Sequence, residues 1–153
     1  MRHIRRLMLA APSLVVAACS STEASEPMPV DATAAVLTVV FPSRPADTID
    51  VLVTDPATIA AAETFVRTHT GPKLVSGRIV RGAGTDSRYP FHFIPESVQI
   101  VDAAIEICDG ALMRTTHELD QFFTWSTGDQ NSPSAPWCPW ESQPIAVQRL
   151  GAA

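Results

Sequence analysis

The hydrophobic residues near the start of the folded part recur at every second position. Ile49, Val51 and Val53 lie two residues apart in a run that ends at Thr54, and an apolar, β-branched run occupies 36–41. A period of two is typical of a half-buried strand, and the prolines at 42 and 45 mark a turn between the runs. The pattern predicts a β-hairpin.

The spacing then changes to the three-to-four-residue period of a helix. Asp55 can cap the first turn, and Pro56 lacks a backbone donor that would be unsatisfied there anyway, so the pair predicts a helix start. A glycine and a proline at 71–72 predict its end. The apolar stripe between these signals consists of Ile59, Ala62, Phe65 and Val66.

Later segments alternate between the two periods. We expect strands at 74–81, 91–94 and 145–150, a helix at 111–123, and loops at 82–88 and 128–139. The run 97–108 fits both periods, because residues 101, 103, 105 and 107 alternate while 98, 101, 105 and 108 share a helix face. Since the run is rich in valine and isoleucine and Asp109-Gly110 follows as a break, we favour a strand.

The predicted order is β-β-α-β-β-β-α-β. It indicates an α+β domain in which two helices pack on a mostly antiparallel sheet. This single domain would occupy 36–150 of the 153-residue chain, with a short tail at 151–153. A domain of this size buries a modest core, and a covalent cross-link would help to stabilise it.

The first 18 residues are typical of a secretory signal peptide. A basic start with three arginines precedes an apolar run of twelve residues, which is too short for a transmembrane helix. The run ends in Val16-Ala17-Ala18-Cys19, which resembles the lipobox of bacterial lipoproteins and implies cleavage before Cys19 and lipid on that residue. An ordinary secretory signal is the alternative. Arg5-Arg6 also leaves a twin-arginine export route open.

Cys19 and the residues after it predict a flexible tether and the membrane to which the protein is sent. The segment 19–35 contains mainly small, polar and proline residues, which cannot bury enough surface to fold. Several acyl chains on one cysteine give stable anchoring, so we expect the membrane as a partner through lipid. Ser20 is not the aspartate that commonly retains lipoproteins at the inner membrane, so an outer membrane is favoured if the cell has one.

The charge of the processed chain disfavours nucleic acid as a partner. After cleavage it keeps eight basic and sixteen acidic residues, a net charge of −8. Binding to a phosphate backbone needs clustered lysine and arginine, and this chain has one lysine and scattered arginines.

Cys108 and Cys138 remain when Cys19 is assigned to lipid. Exported proteins meet an oxidising compartment, so a structural disulfide is favoured over two buried thiols or a redox pair. The separation of 30 residues, without a C-x-x-C motif, is typical of a structural bond. The flanking Trp137 and Trp140 either cover this bond at the edge of the core or form an aromatic recognition surface.

Other polar candidates are scattered. His92 lies between two phenylalanines and, in a strand, faces away from both, while Glu106 and Asp109 flank Cys108. The carboxylates would suit acid–base chemistry, although Asp109 as a helix cap and Glu106 on an exposed face are simpler roles. The other histidines lack ligand spacing, so we predict no metal site and no cofactor. No hydrolase, phosphate-loop or EF-hand motif is present.

Five segments of the chain form an ordered set: Val53–Ala60, Gly77–Val80, Phe91–Val98, Ile105–Gly110 and Trp137–Ser142. In this order they resemble a family of small secreted bacterial domains related to the amino-terminal domain of a slime-mould calmodulin-antagonist protein. The resemblance covers about 36–150 and implies that Cys108 pairs with Cys138, but it brings no catalytic residues. Ile94 stands where the family tends to have aspartate. Arg78 lies in one segment and joins the candidate contact residues.

Together these features predict an envelope-anchored lipoprotein carrying a small non-enzymatic binding domain. The alternative is a small periplasmic or cell-surface hydrolase, or an inhibitor of one. Convergence of His92, Glu106 or Asp109 on one cleft would favour an enzyme. Their dispersal, together with an exposed Trp137 or Trp140, would favour binding.

Overall fold

The computed structural model describes residues 34–151. The predicted signal peptide, Cys19 and the tether up to Thr33 lie outside the described residues. Within them, no helix is both long and apolar enough to cross a membrane.

The described residues form strands and short helices in the order β-β-α-β-β-β-α-α-β-β, with 3₁₀ turns at Pro95–Ser97 and Glu106–Cys108. The elements are β1 (Ala35–Phe41), β2 (Arg44–Val53), α1 (Pro56–Thr68), β3 (Leu74–Arg81), β4 (Phe91–Phe93), β5 (Gln99–Val101), α2 (Leu112–His117), α3 (Leu119–Thr127), β6 (Ala135–Trp137) and β7 (Gln143–Arg149).

The first sheet has the order β2-β1-β7, and both pairings are antiparallel. Leu37 of β1 lies opposite Val51 of β2 and Val147 of β7. The predicted hairpin is confirmed, although β2 already begins at Arg44, inside the predicted turn, and β1 begins at Ala35, one residue early. Ile49, Val51 and Val53 are buried, as the period of two predicted.

The second sheet is built around β3. β5 pairs with the start of β3 and β4 with its end, while β6 pairs across Gly77–Ile79, and all three partners are antiparallel to it. Side chains of both sheets and of the helices share one apolar core. The predicted α+β class with mostly antiparallel strands is therefore confirmed.

α1 begins as the sequence predicted. Asp55 accepts a hydrogen bond at Oδ2 from the backbone N–H of Thr58 at 2.8 Å, and Pro56 takes the first helical position. The helix ends at His69, which has a left-handed φ of 54°. Ile59 and Ala62 are fully buried in the core.

Three predicted elements are wrong in detail. The run 97–108 is not one strand, because the antiparallel register places Gln99–Val101 opposite Ser76–Leu74, and residues beyond Val101 would face the Gly71-Pro72-Lys73 turn before β3 rather than a strand. The helix predicted at 111–123 is interrupted at Glu118, whose φ of −120° and ψ of 39° are not helical, and it divides into α2 and α3. The predicted loop 128–139 also contains β6.

The loop before β4 is fixed to β2 by a buried carboxylate. Asp86 is 8% exposed and accepts hydrogen bonds from the Arg88 guanidinium at 2.8 and 2.6 Å and from the backbone N–H of Asp50 at 3.1 Å. The hydrogen bonds from Arg88 hold the pKa of Asp86 below its ordinary value of 3.8. The ionised carboxylate therefore stabilises the folded chain.

We expect this carboxylate to make the domain acid-sensitive. Because its pKa is lower in the folded than in the unfolded chain, its contribution is present above pH 3.8 and is lost as the pH falls through the folded pKa. Asp86→Asn should lower the free energy of unfolding at pH 7 by about 1–3 kcal/mol and flatten its decline in acid. Urea denaturation between pH 2 and pH 7 measures both effects. Glu96→Gln, at an exposed position, is the control, and parallel acid profiles for wild type and Asp86→Asn would refute this role.

Candidate functional site: two grooves beside the disulfide

A disulfide between Cys108 and Cys138 joins the 3₁₀ turn before α2 to the end of β6. Their Cα atoms are 5.1 Å apart, and the backbone N–H of Cys138 donates to the carbonyl of Cys108 at 2.8 Å. Just beyond the bond in both segments, the Trp140 backbone N–H donates to Asp109 Oδ1 at 3.1 Å. These bonds hold the two segments in one fixed arrangement.

Trp137 belongs to the core rather than to the surface. It is 1% exposed, and its Nε1 donates to the carbonyl of Gly110 at 2.8 Å. Its ring centroid lies 5.1 Å from that of Phe91, 5.3 Å from Phe93 and 6.3 Å from Phe41. Of the two tryptophans that the sequence offered as ligand contacts, this one fills the protein interior.

Position 110 must be glycine because the backbone there packs directly against Thr115, Phe122 and Trp137. A Cβ atom on it would lie 2.7 Å from Thr115 Oγ1, 2.8 Å from the Phe122 ring and 3.0 Å from Trp137 Nε1. Real Cβ atoms essentially never approach other atoms so closely. Glycine therefore allows the Asp109–Ala111 segment to lie directly on α2, α3 and β6.

Trp140, in contrast, is 48% exposed and borders a groove of about 380 Å³, here called the Trp140 groove. The turn between β1 and β2 forms one wall, and the residues after the disulfide form the other. The lining residues are Phe41, Ser43, Arg44, Asp47, Asp109, Ala111, Leu112, Pro139, Trp140 and Glu141.

A second groove of about 450 Å³, the Trp125 groove, also borders the Asp109–Ala111 segment. Trp125 at its border is 51% exposed and packs against Phe122, with ring centroids 5.9 Å apart. The lining residues are Asp109, Gly110, Ala111, Arg114, Thr115, Glu118, Gln121, Phe122 and Trp125.

The two grooves share Asp109 and Ala111, so they adjoin at this segment. We call them together the tryptophan surface. Ile105 and Ile107, which flank Glu106 next to the disulfide, are also exposed. Large apolar side chains close to a polar groove are typical of binding sites, because monomeric proteins seldom expose clustered apolar surface that has no function.

The Trp140 groove lies at the end of the first sheet that is opposite the chain ends. Ala34 and Leu150 are joined by a hydrogen bond of 2.9 Å, whereas Phe41, at the far end of β1, lines the Trp140 groove. The seven residues of β1 span roughly 20 Å. Ala34 therefore lies at the opposite end of β1 from the Trp140 groove.

The other predicted contact residues do not join this surface. His92 is half-buried and its Nδ1 bonds with the carbonyl of Gly82 at 2.9 Å, while Arg78 donates to the hydroxyl of Ser134 at 2.6 and 3.0 Å. Both groups hold neighbouring strands and loops in place. Glu106 is exposed on the 3₁₀ turn and lines neither groove. His92, Glu106 and Asp109 are thus dispersed.

Of the predicted contact residues, Asp109 and Trp140 lie together in the grooves, and they are joined by Trp125, which sequence reasoning missed. Its signal was weak but present: Trp125 stands next to the apolar stripe of α3, three residues after Phe122. Among residues 34–151, no group of three or more metal-ligating side chains lies close enough to hold a metal ion.

Comparison with known families gives a match over most of the chain. Residues 35–150, about three quarters of the chain, match a family described as the BP-74 N-terminal domain. Comparisons with curated proteins and with solved structures give no significant match. The matched residues cover the described domain from β1 to β7 and include both cysteines of the disulfide. The chain belongs to the family of the BP-74 N-terminal domain.

Proposed function

We propose that this chain is an envelope-anchored lipoprotein whose small domain binds a ligand or partner at the tryptophan surface, without catalysis of its own. The observation that carries the proposal is the pair of adjoining grooves, each bordered by a half-exposed tryptophan. Tryptophan is enriched at the energetic centres of binding interfaces, because it offers a large apolar area and few rotatable bonds.

The rigidity of the site supports a binding role. The disulfide, the Cys138–Cys108 backbone hydrogen bond and the Asp109–Trp140 hydrogen bond fix the segment that both grooves share. A surface already held in its bound shape loses less conformational entropy when a ligand arrives.

The position of the site also fits a lipid anchor. Lipid on Cys19 would attach the chain through the pole where Ala34 and Leu150 meet. The Trp140 groove lies at the other end of β1, so the anchor would leave it free to meet partners on the exported side. Several acyl chains on one cysteine would make this attachment stable.

A hydrolase has less support, because His92, Glu106 and Asp109 do not converge on one cleft. A general base must lie within hydrogen-bond reach of its reaction partner, and these side chains belong to separate environments. An inhibitor of a hydrolase would use the tryptophan surface as a binding site, and it is therefore one form of the proposed function.

One mass-spectrometric experiment tests both the anchor and the surface. Intact cells and the purified chain are exposed to hydroxyl radicals, and the oxidation of each tryptophan and the mass of the Cys19 peptide are measured. We expect acyl groups on Cys19, slower oxidation of Trp125 and Trp140 in cells than in the purified chain, and little oxidation of buried Trp137 in either. An unacylated Cys19 would refute the anchor, and equal oxidation of Trp125 and Trp140 in both samples would refute the binding surface.

A further inference from the structure

We propose that the occupant of the tryptophan surface is an extended, basic segment of a partner polypeptide, with its lysine or arginine side chains seated beside Trp125 and Trp140. This inference rests on the proposed function and names the chemistry of the ligand.

The first argument is charge. The grooves are lined by the carboxylates of Asp47, Asp109, Glu118 and Glu141 and by two guanidinium groups. Arg114 already pairs with Glu118 at 3.1 Å. Among the described residues that line the grooves, three carboxylates therefore remain against Arg44, and a cationic ligand is favoured over an anionic one.

The rest of the described domain adds to the negative electrostatic potential around the grooves. Residues 34–151 contain 13 acidic and eight basic side chains. Outside the grooves, Asp86, Asp120 and Glu63 are each paired with an arginine. Asp47, Asp109 and Glu141 make no salt bridge within the described residues, so their charge is available to a partner.

The second argument is the exposed indole rings. The face of a tryptophan attracts an ammonium or guanidinium group, and a carboxylate close to the same ring strengthens the preference for a cation. In the Trp140 groove, Trp140 lies in the same lining as Asp47 and Glu141, and in the Trp125 groove Trp125 lies with Asp109. A basic side chain can contact both kinds of group at once, because its methylene stem packs on apolar surface while its head reaches a carboxylate.

The third argument is shape. The grooves hold about 380 and 450 Å³ and meet at Asp109 and Ala111, so a ligand that fills both must be elongated. A small free amine fills only one of them. An extended polypeptide places successive side chains on alternate sides along its length and can reach both grooves from one backbone.

The test measures binding of a short peptide of alternating lysine and alanine to the full mature chain in a non-ionic detergent. We expect saturable binding that weakens as salt is raised, because the attraction is partly between exposed charges. Trp140→Ala should weaken binding about tenfold and Asp47→Asn about threefold. The matched controls Ile145→Ala and Glu96→Gln, at an exposed isoleucine and an exposed glutamate away from the grooves, should bind like wild type.

Three results would overturn the inference: equal binding by wild type, Trp140→Ala and Asp47→Asn; equal binding of a glutamate–alanine peptide; or equal binding of spermidine, a polyamine that carries positive charge without a polypeptide. Protection of Trp140 in cells without affinity for the basic peptide would overturn this inference alone and leave the proposed function standing. Circular dichroism of Trp140→Ala confirms that its effect is local, since the side chain is half-exposed.

Discussion

Replacing Trp137 by alanine will lower the free energy of unfolding by about 3–5 kcal/mol, the range for removing a large buried aromatic side chain. The indole contacts the rings of Phe41, Phe91 and Phe93, and these belong to both sheets. Its removal leaves a cavity between them. It also removes the donor to the buried carbonyl of Gly110, whose unpaired state adds to the cost.

The matched control is Trp140→Ala, which deletes the same side chain three residues later. Trp140 is 48% exposed, so we expect its loss to cost less than about 1 kcal/mol. Urea denaturation monitored by circular dichroism compares the two variants. If Trp137→Ala were no less stable than Trp140→Ala, the assignment of Trp137 to the core would be wrong.

Removing the disulfide will have an effect of similar size. Cys108 and Cys138 enclose a loop with a sequence separation of 30, and in the chain-entropy description its closure stabilises the domain by about 3–4 kcal/mol. This is a large share of the total of about 5–15 kcal/mol that is typical of folded domains. The double substitution Cys108→Ser and Cys138→Ser should therefore lower the denaturation midpoint strongly, and reductant should have no further effect on that variant.

The loss of stability in this double variant should be greatest in the segments near the missing disulfide. Without it, the Asp109–Ala111 segment keeps the hydrogen bonds to Trp137 and Trp140, but the surrounding loops should open more often and be cleaved faster by protease. Counting free thiols tests directly whether Cys108 and Cys138 are cross-linked. The denatured, unreduced mature chain should show no titratable thiol from Cys108 or Cys138, and two titratable thiols would contradict the cross-link.

Local signals predicted the first part of the fold well. The period of two at Ile49, Val51 and Val53 depends only on one buried face, and β1 and β7 provide the neighbouring structure that buries it. The start of α1 was equally predictable, because Asp55 and Pro56 act within one helical turn. In both cases the residues that carry the signal are neighbours in the sequence.

The alternation of apolar residues failed to predict the structure after Val101, which depends on a partner strand distant in the sequence. Ile105 and Ile107 continue the alternation that begins at Val101, yet both are exposed, because in the register of β5 they lie beyond the start of β3, opposite the end of α1 and the turn at 69–73. Where a neighbouring strand begins cannot be deduced from the alternating run itself.

The roles of the tryptophans were predictable only in part. β6 gives Trp137 the same face as Ala135 and thereby buries it, but the prolines around this short strand made the segment resemble a loop. Trp140 follows the strand and is free of that constraint. The Trp125 groove is lined by residues 109–125 alone, whereas the Trp140 groove arises where the β1–β2 turn, the start of α2 and the residues after Cys138 meet, and these three segments are far apart in the sequence.

The most direct test of a binding surface opposite the chain ends is site-specific photocrosslinking in living cells. A benzophenone amino acid replaces Trp140 in one full-length variant and Ile145 in another; both side chains are about half-exposed, but Ile145 lies on β7 outside the grooves. We expect discrete crosslinked products from position 140 that are absent or much weaker from position 145. Products of equal yield from both positions, or from position 145 alone, would contradict the assignment of binding to the tryptophan surface.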